Sequence, residues 1–288
     1  MAASATTHGG SGGQNYGRLF VILWIGISVV ATPLTTIVLG RNIPPGNGST
    51  EATSQVLDNQ VLLAVSTPIA VFVLLFLGFA LTVFRARGPE LVDGPPVRGD
   101  SRIQILWLVV TTTTVLFLAA FGTFELFDAA GAGAGQGPSP AFLPDKHASA
   151  LDVQVIAQQW EFTYRYPGSG GVETPHLVLP AHTLIRLHVT SLDVVHSFWA
   201  YELGVKADAN PGTDNVVYVT TNGPRSFHIR CAELCGLWHG YMFDTGRVVP
   251  AAQFASWTTA QQATFKPVQQ YLPPYATTYL PDPQRRAG

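Results

Sequence analysis

The sequence predicts a membrane-anchored chain in which apolar helices precede an exported, all-β domain with Greek-key connections. Three observations lead there. The chain is 47% hydrophobic but only 12% charged, about half the charge of an ordinary soluble protein. Three apolar runs, 19–39, 61–84 and 103–124, each reach the ~20 residues that a membrane span needs. Beyond residue 150, short alternating segments follow one another between Gly, Pro and Asn turns. The net charge of −2 singles out no partner and argues against nucleic acid. Abundant Arg, Ala, Gly and Pro suggest a GC-rich bacterial genome.

The arginines orient the spans. Arg85, Arg87, Arg98 and Arg102 lie between the second and third runs, whereas Arg41 alone lies between the first and second. Positively charged loops stay inside. The 85–102 loop therefore faces the cytoplasm, and residues 41–60 and everything after about 127 face outward. Run 19–39 has two readings. A Gly/Ser-rich start, Arg18 and an apolar stretch describe a secretory signal as well as a span, with Val38-Leu39-Gly40 as a tolerable cleavage site. The expected organisation is a signal or extra transmembrane helix over 1–44 and a two-helix transmembrane hairpin over 45–128. A flexible, Gly- and Pro-rich linker covers 129–144. A β-domain covers 145–266, and an extended tail 267–288.

Within the β-domain the alternation predicts strands at 151–157, 160–166, 176–179, 183–191, 215–221, 225–230 and 243–249, with a helix near 253–265. Trp160, Phe162, Tyr164 and Tyr166 share one face. Strands of this length and spacing suggest a sandwich or barrel.

Both cysteines, and the only methionine after Met1, fall within Cys231-Ala-Glu233-Leu-Cys235-Gly-Leu-Trp-His239-Gly-Tyr-Met242. Thiolate, imidazole and thioether are the soft donors that copper prefers. The stretch lies between two predicted strands, so a loop can aim them at one point. A second imidazole must come from elsewhere. His196, in Asp193-Val-Val-His196-Ser, is the best candidate, and His228 the nearest rival. A mononuclear blue copper site needs one thiolate. Two thiolates can bridge two copper ions, each capped by a histidine, with weak axial donors from Met242 and a backbone carbonyl. A disulfide and a Cys2His2 zinc site are the competing readings. Neither has a use for the thioether.

These motifs resemble those of subunit II of the haem–copper cytochrome c oxidases. The likeness spans roughly residues 55–265. It rests on Cys-x-Glu-x-Cys-Gly-x-x-His-x-x-Met, the upstream Asp-x-x-His-Ser, Leu203-Gly-Val-Lys206-Ala-Asp208-Ala-Asn-Pro211-Gly212 and Gln159-Trp160. The resemblance implies a cupredoxin domain holding the binuclear copper centre called CuA. Its ligands would be His196, Cys231, Cys235, His239, Met242 and the backbone carbonyl of Glu233. It also implies a magnesium ion at the border with subunit I, reached by the Glu233 carboxylate, and Trp160 as the point where electrons arrive. The implied partners are oxidase subunits I and III and a cytochrome c donor, in a bacterial plasma membrane with the copper domain outside. No haem is expected in this chain: Cys-x-x-Cys-His is absent and the three apolar runs contain no histidine.

There are departures from the family pattern. Glu161-Phe162 replaces Tyr-Trp, Thr213 stands in place of an arginine, and Gln104 occupies a position where a glutamate often admits protons, with Asp100 as a substitute. Asp193, Glu202, Asp214 and Asp244 are candidates for an acidic docking patch. A copper-dependent nitric oxide reductase subunit and a free-standing tethered copper carrier share the ligand set and remain as alternatives.

Overall fold

A computed structural model describes residues 15–43, 46–85, 99–128, 135–136 and 149–269. It divides into two compact units: residues 1–40 with 60–98, and residues 41–59 with 99–288. Three helices are long and apolar enough to cross a membrane: α1 (Tyr16–Val38), α2 (Thr50–Thr82) and α3 (Ser101–Asp128). The side-chain oxygen of Asn15 caps the start of α1 by accepting from the Arg18 N–H. Asp100 does the same for α3, its Oδ1 accepting from the Arg102 N–H at 2.8 Å. Asp100 thus serves as a helix cap. The apolar side chains of α3, among them Ile103, Leu106 and Trp107, point outward, as a lipid- or protein-facing span requires.

In the first unit α1 lies against the part of α2 beyond Gln60. Phe20 meets Phe72 and Phe79 edge-on, with ring centroids 5.2 and 5.5 Å apart.

The second unit is a two-layer sandwich. Its strands are β1 (Gly135–Gln136), β2 (Leu151–Gln158), β3 (Glu161–Tyr166), β4 (Val172–Thr174), β5 (Val178–Pro180), β6 (Leu184–Ser191), β7 (His196–Ala200), β8 (Val205–Ala209), β9 (Asn215–Thr220), β10 (Arg225–Cys231) and β11 (Phe243–Val249). One sheet runs β1-β9-β6-β2-β3-β4, the other β5-β11-β10-β7-β8. The expected strands appear within two residues at either end. β4, β7 and β8 were not expected. β7 and β8 lie inside the stretches read as ligand and family motifs, although Val205–Ala209 alternates buried and exposed as a strand should. The linker and tail fall largely outside the described residues. Gly135–Gln136, within the linker, pairs with β9.

The core lies between the sheets. Phe162, Tyr164 and Tyr166 point inward from β3, as their shared face predicts, and Phe198, Phe227 and Ile229 meet them from the other layer. Phe162 and Phe198 cross edge-to-face at 5.6 Å, an arrangement that adds about 0.5–1.5 kcal/mol beyond the area buried. The buried Tyr166 hydroxyl donates to the Val178 carbonyl and accepts from its N–H, both at 2.9 Å. α4 (Ala251–Gln269) lays Phe254 and Trp257 on Tyr166.

The stretch before and into α2 is bound to this sandwich. Ser49 is fully buried, and its hydroxyl donates to the Leu203 carbonyl at 2.6 Å. The Glu51 carboxylate accepts from the Thr220 N–H at 2.9 Å, and Gln55 Nε2 donates to the Gly204 carbonyl at 2.7 Å. Residues 41–60 were expected to face the same side as the β-domain, and their contact with it agrees.

Candidate metal centre

Strand register brings the distant histidine to the loop. β10 pairs with β7 so that Cys231 lies opposite Phe198. His196, two residues earlier on β7, shares the inward face with Phe198 and is diagonal to Cys231, within reach across a strand pair. His196 is fully buried. Cys231 ends β10 and Phe243 opens β11, so residues 232–242 form the connecting loop. The Cys231 N–H donates to the Met242 carbonyl at 3.0 Å and closes the loop at its base. A single turn of 3₁₀ helix at His239–Tyr241 carries the second imidazole.

The expected donors converge. His196, Cys231 and Cys235 are buried, with ligand atoms all within 4.8 Å of one another. The two cysteines are free, their sulfurs 3.7 Å apart. Around Cys231 stand the His196 Nδ1 at 3.9 Å and the Glu233 carbonyl at 3.2 Å. Around Cys235 stand the His239 Nδ1 at 3.5 Å and the Met242 sulfur at 3.8 Å. Each thiol therefore has one imidazole and one weak donor. His228 lies outside the cluster: its Nδ1 meets Glu202 at 2.6 Å on the protein surface. The Glu233 side chain is exposed.

Two neighbours of this set were not read from the sequence as parts of the site. One is Asp193. Its Oδ1 takes the His196 Nε2 at 2.8 Å, and its Oδ2 accepts from the Gln159 N–H at 2.7 Å. Holding the proton on Nε2 leaves Nδ1 as a lone-pair donor toward Cys231. Burial alone would raise the Asp193 pKa. The Gln159, His196 and Val194 donors outweigh it and hold the carboxyl below its ordinary value. The other is Gln159, whose Nε2 donates to the Cys235 carbonyl at 2.8 Å, beside the Trp160 Nε1 donating to the same oxygen at 3.2 Å. Gly236 makes this approach possible. Its φ is +115°, and a Cβ there would lie 2.9 Å from Gln159 Nε2 and 3.3 Å from the Trp160 ring.

Each of the four acids considered for a docking patch has a histidine partner: Asp193 has His196, Glu202 has His228, Asp214 has His188 and Asp244 has His176. Asp244 is itself nearly buried, facing the core tyrosines.

Removing the Asp193 carboxylate frees the His196 ring to rotate. Asp193→Ala is expected to weaken copper binding about 10–100-fold, the usual cost of losing such an outer partner. Competition against a chelator measures it, with an unchanged circular dichroism spectrum as the control.

Burial, then the adjacent Cys231, pushes the Cys235 thiol up to about 12 in the metal-free protein. An unfolded thiol titrates near ~8.5. Between these values the folded chain keeps a proton that the unfolded chain has lost, so stability falls as pH rises. Thermal melts of the metal-free chain should decline more steeply above pH ~9 than those of Cys235→Ser. Parallel declines would contradict this.

Comparison with known proteins fits the geometry. Residues 171–248 match the family model for the periplasmic domain of cytochrome c oxidase subunit II. Cytochrome c oxidase subunit 2 of a Synechocystis species is 26% identical over 256 residues, covering 77% of this chain and 76% of the relative. That of Bacillus sp. strain PS3 is 30% identical over 193 residues, covering 64% of this chain and about half (52%) of the relative. Among solved structures, the periplasmic domain of subunit II of Bradyrhizobium japonicum cytochrome oxidase is 32% identical, covering 40% of this chain and 95% of that domain, with a TM-score of 0.39. The paired thiols and flanking imidazoles all lie within the matched stretch, so residues 171–248 form a domain of the kind found in cytochrome c oxidase subunit II.

Proposed function

We propose that this chain is the electron-accepting subunit of a respiratory cytochrome c oxidase and that its loop holds two copper ions. The paired donor set carries the reading. Two buried thiols stand 3.7 Å apart, each with its own imidazole and its own weak donor. A Cys2His2 zinc site would use the thiols and imidazoles but has no use for the thioether and the carbonyl. His196, Cys231, Cys235, His239, Met242 and the Glu233 carbonyl would be the ligands. Bound there, copper would supply a one-electron carrier.

The remaining work belongs to the chain. Trp160 is half-buried at the edge of the domain, and its indole N–H bonds a ligand's own carbonyl. A surface aromatic is thus one hydrogen bond from the centre, which suits it to receive electrons from a c-type cytochrome. Asp193 holds both the Trp160 segment and the His196 ring, and so keeps the receiving side and the ligand side in register. The sandwich excludes water from both thiols. Subunit I, with subunit III beside it, is the proposed acceptor assembly, where oxygen is reduced and protons move. The exposed Glu233 carboxylate is the proposed contact with a magnesium ion at that border. The spans sit in a bacterial inner membrane with the copper domain on the periplasmic side.

Copper loading followed by electron paramagnetic resonance tests the centre. A seven-line pattern from two equivalent nuclei is expected. A four-line signal, or none, overturns it. Oxygen uptake by the assembled complex with reduced cytochrome c tests the partners.

A further inference from the structure

We infer that Tyr16–Val38 is a permanent third membrane span, fastened to α2. The sequence leaves this run between a removable signal and a span, and the packing separates the two. A signal's apolar stretch runs about 7–15 residues. α1 has 23 residues, about 35 Å of helix, enough for a hydrocarbon core of about 30 Å.

Its contacts are specific. The Trp24 indole N–H donates to the Pro68 carbonyl at 2.8 Å, and the hydroxyls of Thr35 and Thr67 bond each other at 2.9 Å. Within lipid such donors have no water to turn to, so a partner on a neighbouring helix fixes the pairing. Four edge-on aromatic contacts interlock the same faces: Tyr16 with Phe84, Phe20 with Phe72 and Phe79, and Trp24 with Phe72. A segment destined for removal has no need of matched polar and aromatic partners spread over five turns.

The one tolerable cleavage site lies in the helical end of α1, where Val38 and Leu39 are exposed but Gly40 is buried. The N–H groups of Leu39 and Gly40 both donate to the Thr35 carbonyl, at 2.9 and 3.0 Å. Gly40 is buried, and a Cβ there would lie 2.7 Å from the Gln60 side chain. A peptidase needs an exposed, extendable stretch, whereas this one ends a helix packed against α2.

Two measurements on the full chain in its membrane complex test this. The intact mass of the purified chain should include residues before Arg41. A mature N-terminus at or near Arg41 overturns the inference. The second test pairs Thr35→Cys with Thr67→Cys and inserts a protease site between Asn42 and Asn47. After oxidation and cleavage the two fragments should stay joined on a non-reducing gel and part on reduction. Val29→Cys with Thr67→Cys should not join them, since Val29 points away at 66% exposure. Fragments that part without reduction in the Thr35–Thr67 variant overturn the fastening.

Discussion

Replacing Cys235 with serine should reduce copper-dependent electron uptake to background and collapse a seven-line resonance toward four lines. Cys235 is the hub of the donor set. Its sulfur lies 3.7 Å from Cys231, 3.5 Å from the His239 ring and 3.8 Å from Met242. Serine keeps the shape but supplies a hard, weakly acidic oxygen where copper prefers thiolate. His239 and Met242 then lose the sulfur they flank, so the site would hold copper through Cys231 and His196 alone. The loss should exceed the 10–100-fold expected for an outer partner such as Asp193. The metal-free variant should still fold, because the swap removes no large apolar side chain. An unaltered seven-line spectrum would show that Cys235 is not a bridging ligand.

Trp160→Phe should do the opposite: leave the resonance nearly intact and sharply slow reduction by cytochrome c. The indole contributes a ring at the domain edge and one N–H to the Cys235 carbonyl. Phenylalanine retains most of the ring but not the bond. The stability cost should be about 1 kcal/mol, the net worth of one hydrogen bond. Gln159 continues to donate to the same carbonyl, so the loop keeps its shape. Stopped-flow reduction separates the outcomes. A rate equal to that of the unaltered protein would remove Trp160 from the path.

Much of this was legible before any coordinates. The sulfur-rich loop and His196 as its best partner follow from residue types and spacing, whereas the role proposed for Trp160 came only with the family resemblance. The alternation in 151–166 and 183–191 identifies the central strands, because half-buried strands write their period into the sequence. What could not be read depends on register. Asp193 and Gln159 are 34 positions apart, and only the return of the chain beside Ala157 puts a carboxylate on a backbone N–H there. The acids of the supposed patch looked free because the sequence does not show that a histidine from another strand faces each. Ser49 caps α2 by accepting from the Ala52 N–H. Its second bond, to Leu203, spans 154 positions and leaves no local trace.

That second bond has a consequence for how the chain tolerates change. Ser49, Glu51 and Gln55, at and just before the start of α2, clasp the β-domain. Ser49 is fully buried, and its hydroxyl works in both directions, accepting from the Ala52 N–H and donating to the Leu203 carbonyl. A bulkier side chain at position 49 has no room there and would part the start of α2 from the sandwich.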